Sequence, residues 1–121
     1  MAERNETGRA GEEQARRLLA AKGYRILHAN WHWHHYELDI VAMDCNCLVV
    51  AEVKTRAAGS LMAPEEAVDR GKIRRIAAAA DAYARRFGIE APVRFDLLLV
   101  VKTGDSYRVE HWEDAFYAPL R

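Results

Sequence analysis

The chain has 121 residues, is 50% hydrophobic and 30% charged, and sets 18 Lys and Arg against 18 Asp and Glu for a formal net charge of zero. That size suffices for one core without disulfide or metal staples, and the balance excludes a uniformly basic coat for nucleic acid, though not a local basic patch. No apolar run approaches the ~20 residues that span a bilayer, and the opening MAERNETGRAGEEQ has charges where a secretory signal needs an apolar segment, so the expectation is one cytoplasmic domain over residues 1–121 with no membrane association.

TGRAGEEQARRLLAAKGY predicts a first helix, with Thr7 as its cap and Gly23 just past its end. Ala15, Leu18, Leu19 and the small Gly8 and Gly11 make its apolar stripe; Glu12 stands at the stripe's edge and Glu13 points to solvent. YRILHANWHW reads as a strand, and ELDIVAMD and CLVVAEVKT as a hairpin turning at Cys45-Asn46. After the looser AAGSLMA, Pro64 suits the start of a helical turn. Asp69 then caps a long helix with Ile73, Ile76, Ala77, Ala80, Tyr83, Ala84 and Phe87 on one face, and Gly88 ends it. PVRFDLLLVV has the continuous apolar character of a strand deep in a sheet. SYRVEHW predicts a shorter strand, and EDAFYAPLR a tail that is partly helical. The order α-β-β-β-α-β-β describes a mixed β-sheet flanked by helices, an α/β domain.

The hairpin concentrates the chemistry. With a two-residue turn at Cys45-Asn46, Asp44 faces Cys47, Met43 faces Leu48 and Val41 faces Val50; continued outward, Asp39 faces Glu52 and Glu37 faces Lys54. Alternation puts Glu37, Asp39, Val41, Met43, Leu48, Val50, Glu52 and Lys54 on one face and leaves Leu38, Ile40, Ala42, Val49, Ala51 and Val53 on the other. Opposed like charges destabilise a sheet, so Asp39 against Glu52 calls for a cation, and hard carboxylate donors suit Mg2+ or Mn2+. Lys54, two residues on, would neutralise phosphate charge or orient a water. The bland alternative is an exposed face with a Glu37–Lys54 ion pair, and a one-residue slip in register would scatter the group.

ELDIVAMDCNCLVVAEVKTR resembles the signature of the YraN-like family of bacterial proteins, within the PD-(D/E)xK nuclease superfamily. Asp39 matches its lone acidic residue and Glu52-Val53-Lys54 its D/E-x-K triplet, while GRAGEEQA, NW, PEEAV, Lys72, RFD and the closing Ala115-Phe116 fall in family order over most of the chain. Tyr36 departs from a common glycine, and His32 and His34 from common arginines. The resemblance implies a restriction-endonuclease-like core similar in layout to archaeal Holliday-junction resolvases, and a metal-dependent endonuclease that hydrolyses phosphodiester bonds in nucleic acid, in DNA rather than RNA, branched DNA included. It implies Asp39, Glu52 and Lys54 as catalytic residues and Glu12 as a further ligand beside Asp39 and Glu52 to Mg2+ or Mn2+; Glu37, Arg56 and Lys72, the last at a helix start where it could point toward the hairpin, are read beside them as auxiliaries. Paired cuts on a four-way junction would need a homodimer.

Three other readings compete. Cys45 and Cys47 with His32, His34 and His35 offer zinc-ligand types, but C-x-C is not the usual spacing, and thiols and imidazoles sit too far apart along the hairpin. Reduced cytosolic thiols, too close in sequence to bridge, and a histidine-decorated strand are the simpler account. A non-catalytic nucleic-acid-binding module would use Arg70, Lys72, Arg74, Arg75, Arg85 and Arg86 on the second helix, against a solvated face balanced by Glu65, Glu66 and Asp69. A scaffold that has lost catalysis would not be expected to keep so costly a carboxylate pair. Arg94 and Asp96 read as a local strand pair.

Overall fold

The computed structural model describes residues 6–59 and 68–117. Helix α1 spans Glu6–Ala21, strands β1, β2 and β3 span Arg25–Trp33, Tyr36–Asp44 and Cys47–Ala57, helix α2 spans Arg70–Phe87, and β4 and β5 span Val93–Thr103 and Ser106–Phe116. The five strands form one sheet in the order β1-β2-β3-β4-β5. Neighbours are antiparallel except β3 and β4, which run parallel from Leu48↔Val93 to Ala57↔Lys102 because α2 lies between them in sequence. This is the expected mixed α/β order. Among the described residues no helix is long and apolar enough to cross a membrane.

Two cores sandwich the sheet. On one face Ala15 and Leu19 of α1 pack with Ile40, Ala42, Val49, Ala51, Leu98 and Val100. On the other, Ile76, Ala79, Ala80 and Tyr83 of α2 pack with Leu38, Val41, Leu48, Val50, Phe95, Leu97 and Leu99. β3 and β4 are therefore covered on both sides, which is why they read as nearly unbroken apolar runs.

Asp69 caps α2 by accepting the Lys72 N–H at 2.8 Å, and Gly88 ends it in the left-handed conformation (φ 65°). Thr7 lies inside α1 rather than at its cap, since the helix already includes Glu6. The helical expectation for EDAFYAPLR is wrong over its first half. β5 runs on to Phe116, which stacks on Phe95 at a 5.3 Å ring separation, and the strand absorbs an irregularity at Asp114 (φ 55°) on the way. The expected turn at Pro64 and the PEEA part of its block lie outside the described residues.

Candidate active site at the fork of the hairpin

The β2–β3 turn at Cys45-Asn46 sets Asp44 opposite Cys47, and the ladder continues to Ile40↔Ala51, the predicted register. There it stops. β2 stays paired with β1 down to Trp33↔Tyr36, while β3 stays paired with β4, so the two central strands part just before Asp39 and Glu52. In place of a further ladder bond, the Val53 N–H donates to Asp39 Oδ2 at 2.9 Å. The alternation of β2 breaks at the same point. Leu38 joins the α2-side core, although Ile40 and Ala42 face α1, so the expectation that all three share the far face fails at Leu38. Across from this break, Asn30 of β1 adopts φ 56°.

The fork opens a cavity of about 180 Å³ lined by His35, Tyr36, Glu37, Asp39, Glu52, Lys72, Arg75 and Ile76. Glu52 is only 5% exposed. Lys72, on the first turn of α2, places Nζ 2.5 Å from Glu52 Oε2. Burial, then repulsion from Glu52, pushes the Asp39 carboxyl up to about 8, against the Val53 N–H, with Glu12 and Glu37 adding to the rise. Burial alone would lower the Lys72 ammonium, but attraction to Glu52, its hydrogen bond and Asp39 outweigh it and raise the pKa.

Glu12 reaches this neighbourhood because α1 lies directly on β3. A Cβ on Gly11 would collide with Thr55 Oγ1, so only glycine allows that approach. Among the described residues no three His, Cys, Asp or Glu side chains already converge as a metal cage. The donor set nonetheless fits a hard divalent ion: Asp39 and Glu52 supply two carboxylates at one opening, with Glu12 and Glu37 near enough to bias Asp39 and the Lys72 ammonium drawn against Glu52.

Residues 11–100 match the profile described as "Uncharacterised protein family UPF0102". The UPF0102 protein of Parabacteroides distasonis is 56% identical over 121 residues, covering 100% of both chains. The chain belongs to the UPF0102 family. A UPF0102 protein of Bacteroides thetaiotaomicron is 51% identical over 99% of both chains, and one of Porphyromonas gingivalis 50% identical over 96% of this chain and 87% of its own.

In this UPF0102 fold, Asp39, Glu52, Glu37 and Lys72 of the sequence-derived set meet in one cavity. Lys54 and Arg56 do not line it. Glu37 is not paired with Lys54 as the extended register predicts, because the β2–β3 ladder has ended; it lies opposite His32 on β1. His35 and Arg75, read from sequence as decoration and as part of a solvated basic face, are cavity walls. His34 and His35 occupy the β1–β2 turn and Cys45 the β2–β3 turn, at opposite ends of β2. Trp31 packs edge-on to Tyr83 at 5.0 Å and belongs to the core.

Arg94 and Asp96 are far more than a local strand pair. Arg94 donates to both Asp96 oxygens at 2.8 Å, to Asp44 at 3.0 Å and to the Tyr24 hydroxyl at 2.6 Å. His111 donates from Nε2 to Asp96 at 2.7 Å, and its Nδ1 sits 2.7 Å from Lys22 Nζ. Asp96 is fully buried, and the network ties β4, β5, the hairpin tip and the end of α1 together.

Proposed function

We propose that this domain is a divalent-metal-dependent endonuclease of the bacterial cytoplasm, cleaving phosphodiester bonds in nucleic acid, with DNA and in particular branched DNA as the favoured substrate. The observation that carries the reading is the placement of two carboxylates, half-buried Asp39 and buried Glu52, where β2 and β3 part, in a cavity whose other wall carries Lys72 and Arg75. Two acids in such a place destabilise the fold unless a cation serves them. The resemblance of Asp39 and Glu52-Val53-Lys54 to the PD-(D/E)xK pattern supports the same conclusion.

Asp39 and Glu52 would hold Mg2+ or Mn2+, with Glu12 as an outer partner. The bound ion would supply Lewis acidity and a more acidic water for attack on phosphorus. The chain's own contributions are positional. The Val53 N–H fixes one Asp39 oxygen, the buried backbone of β3 fixes Glu52, and Lys72 and Arg75 present positive charge to a phosphate entering the cavity. Paired cuts on a branched substrate would use two copies of the chain.

A cleavage screen over duplex, single-stranded, flapped and four-way-junction DNA, with RNA counterparts, in Mg2+ and in Mn2+ tests the proposal. The wild type is expected to cut at least one substrate, and Asp39→Asn and Glu52→Gln to lose at least about 100-fold in rate, the scale of removing a catalytic electrostatic contact. Tight binding with no cutting in either metal would replace this reading with a non-catalytic nucleic-acid-binding module.

A further inference from the structure

The cavity holds a lysine, but not that of the Glu52-Val53-Lys54 triplet. Lys54 is two residues past Glu52 on β3, about 6.6 Å further along the strand, and does not line the cavity, whereas Lys72 does and touches Glu52. Its place is built in. Asp69 fixes the first turn of α2 by capping the amide of Lys72 itself, so the residue that receives the cap also carries the ammonium. Arg75 lies three residues on, on the same side of the helix, and lines the same cavity.

We infer that Lys72 is an exchangeable counter-ion: its ammonium holds Glu52 while the site lacks metal, gives Glu52 up in exchange for a divalent ion, and then turns with Arg75 to the substrate phosphate. The inference rests on the metal-dependent reading above. Glu52 is nearly buried and needs a partner at all times, and an ammonium 2.5 Å from Oε2 supplies one. That oxygen cannot also coordinate Mg2+ at about 2.0–2.1 Å without displacing it. The lysine has somewhere to go: its side chain is 37% exposed, and a compact charge on a flexible four-carbon stem suits movement between two anions. The exchange releases the Lys72 ammonium from Glu52 beside Arg75, so metal loading and phosphate binding assist each other.

Mn2+ uptake without nucleic acid, followed by the paramagnetic resonance of the free ion, tests the exchange in wild type, Lys72→Met and Lys54→Met. Lys72→Met should bind Mn2+ about tenfold more tightly, the scale of one charge-assisted hydrogen bond no longer broken, and Lys54→Met should match wild type. In Ca2+, affinity for thymidine 3′,5′-bisphosphate should fall about tenfold in Lys72→Met. Equal or weaker Mn2+ binding by Lys72→Met overturns the exchange. No uptake by wild type or Lys72→Met overturns the exchange and the metal-dependent reading together; uptake with the expected order but no cleavage of any substrate overturns only the nuclease reading. Should Lys72→Met fail to fold, the wild-type Lys72 ammonium signal in nitrogen-15 NMR decides: Mg2+ must shift it, and an unmoved signal overturns the exchange.

Discussion

Asp39 is held in a position that favours a proton. Its carboxyl is raised from 3.8 to about 8, by burial first and then by Glu52. A carboxyl raised in the folded state contributes stability below its unfolded pKa and loses it as pH climbs through the folded value, so wild-type stability should decline from about pH 4 to pH 8 on this account. Asp39→Asn removes the titration and keeps an oxygen for the Val53 N–H. The variant should therefore be more stable than wild type near pH 8 by about 1–3 kcal/mol, with the difference closing toward pH 4. Urea unfolding at the two pH values measures it; a difference that does not change with pH would sink the argument. At this scale the sequence brought Asp39 and Glu52 together, as the cavity does, because like charges facing each other on a predicted hairpin are visible from alternation alone. It gave the catalytic place to Lys54, whereas Lys72 lines the cavity, because which lysine enters depends on where α2 docks, and no periodicity within β3 reports that.

Among the elements, the α1–β3 contact sets how near Glu12 comes to Asp39. Gly11→Ala places a methyl against Thr55 Oγ1, with the Thr55 Cβ and Cγ2 only 3.2 and 3.3 Å from it, so the helix or the threonine must shift. The expected loss is about 1–3 kcal/mol, typical of overpacking. Adding Thr55→Ala removes the opposing atoms and should recover most of it, and thermal unfolding of the four proteins in the cycle would reveal coupling between the two sites. Strictly additive losses would mean that Gly11 serves some other purpose. The boundaries of α2 were legible, since Asp69 and Gly88 act through local geometry that their residue types announce. The last four residues of β5 were not: Glu113–Phe116 is held in the sheet by Phe116 stacking on Phe95, a contact made across the β4–β5 turn that outweighs the local preference of the segment.

At the scale of the whole molecule two acids, half-buried Asp39 and fully buried Asp96, pull stability in opposite directions. Burial would raise the Asp96 carboxyl, but hydrogen bonds from Arg94, His111 and the Asp114 N–H outweigh it and hold it at about 2. A carboxyl lowered in the folded state contributes stability above its unfolded pKa, here 3.8, and loses it as pH falls through the folded value. Asp96 thus defends the fold from neutral pH down to about 4 and fails toward 2, while Asp39 weakens it toward 8. The sequence offered only an Arg94-x-Asp96 spacing for this network, since Tyr24, Asp44 and His111 arrive from three other parts of the chain. Asp96→Asn takes the charge from a buried site that Arg94 and His111 were arranged around, and should cost about 3–5 kcal/mol, as breaking a buried ion pair does. The same variant should flatten the loss of stability between about pH 4 and pH 2, and should leave the decline toward pH 8 in place, because Asp39 lies on the far side of the sheet from this network. Urea midpoints across that range for wild type, Asp39→Asn and Asp96→Asn separate the two limbs. An acid limb unchanged in Asp96→Asn would show that other carboxylates govern it, and that the Arg94–Asp96–His111 network is not what ties this end of the sheet together.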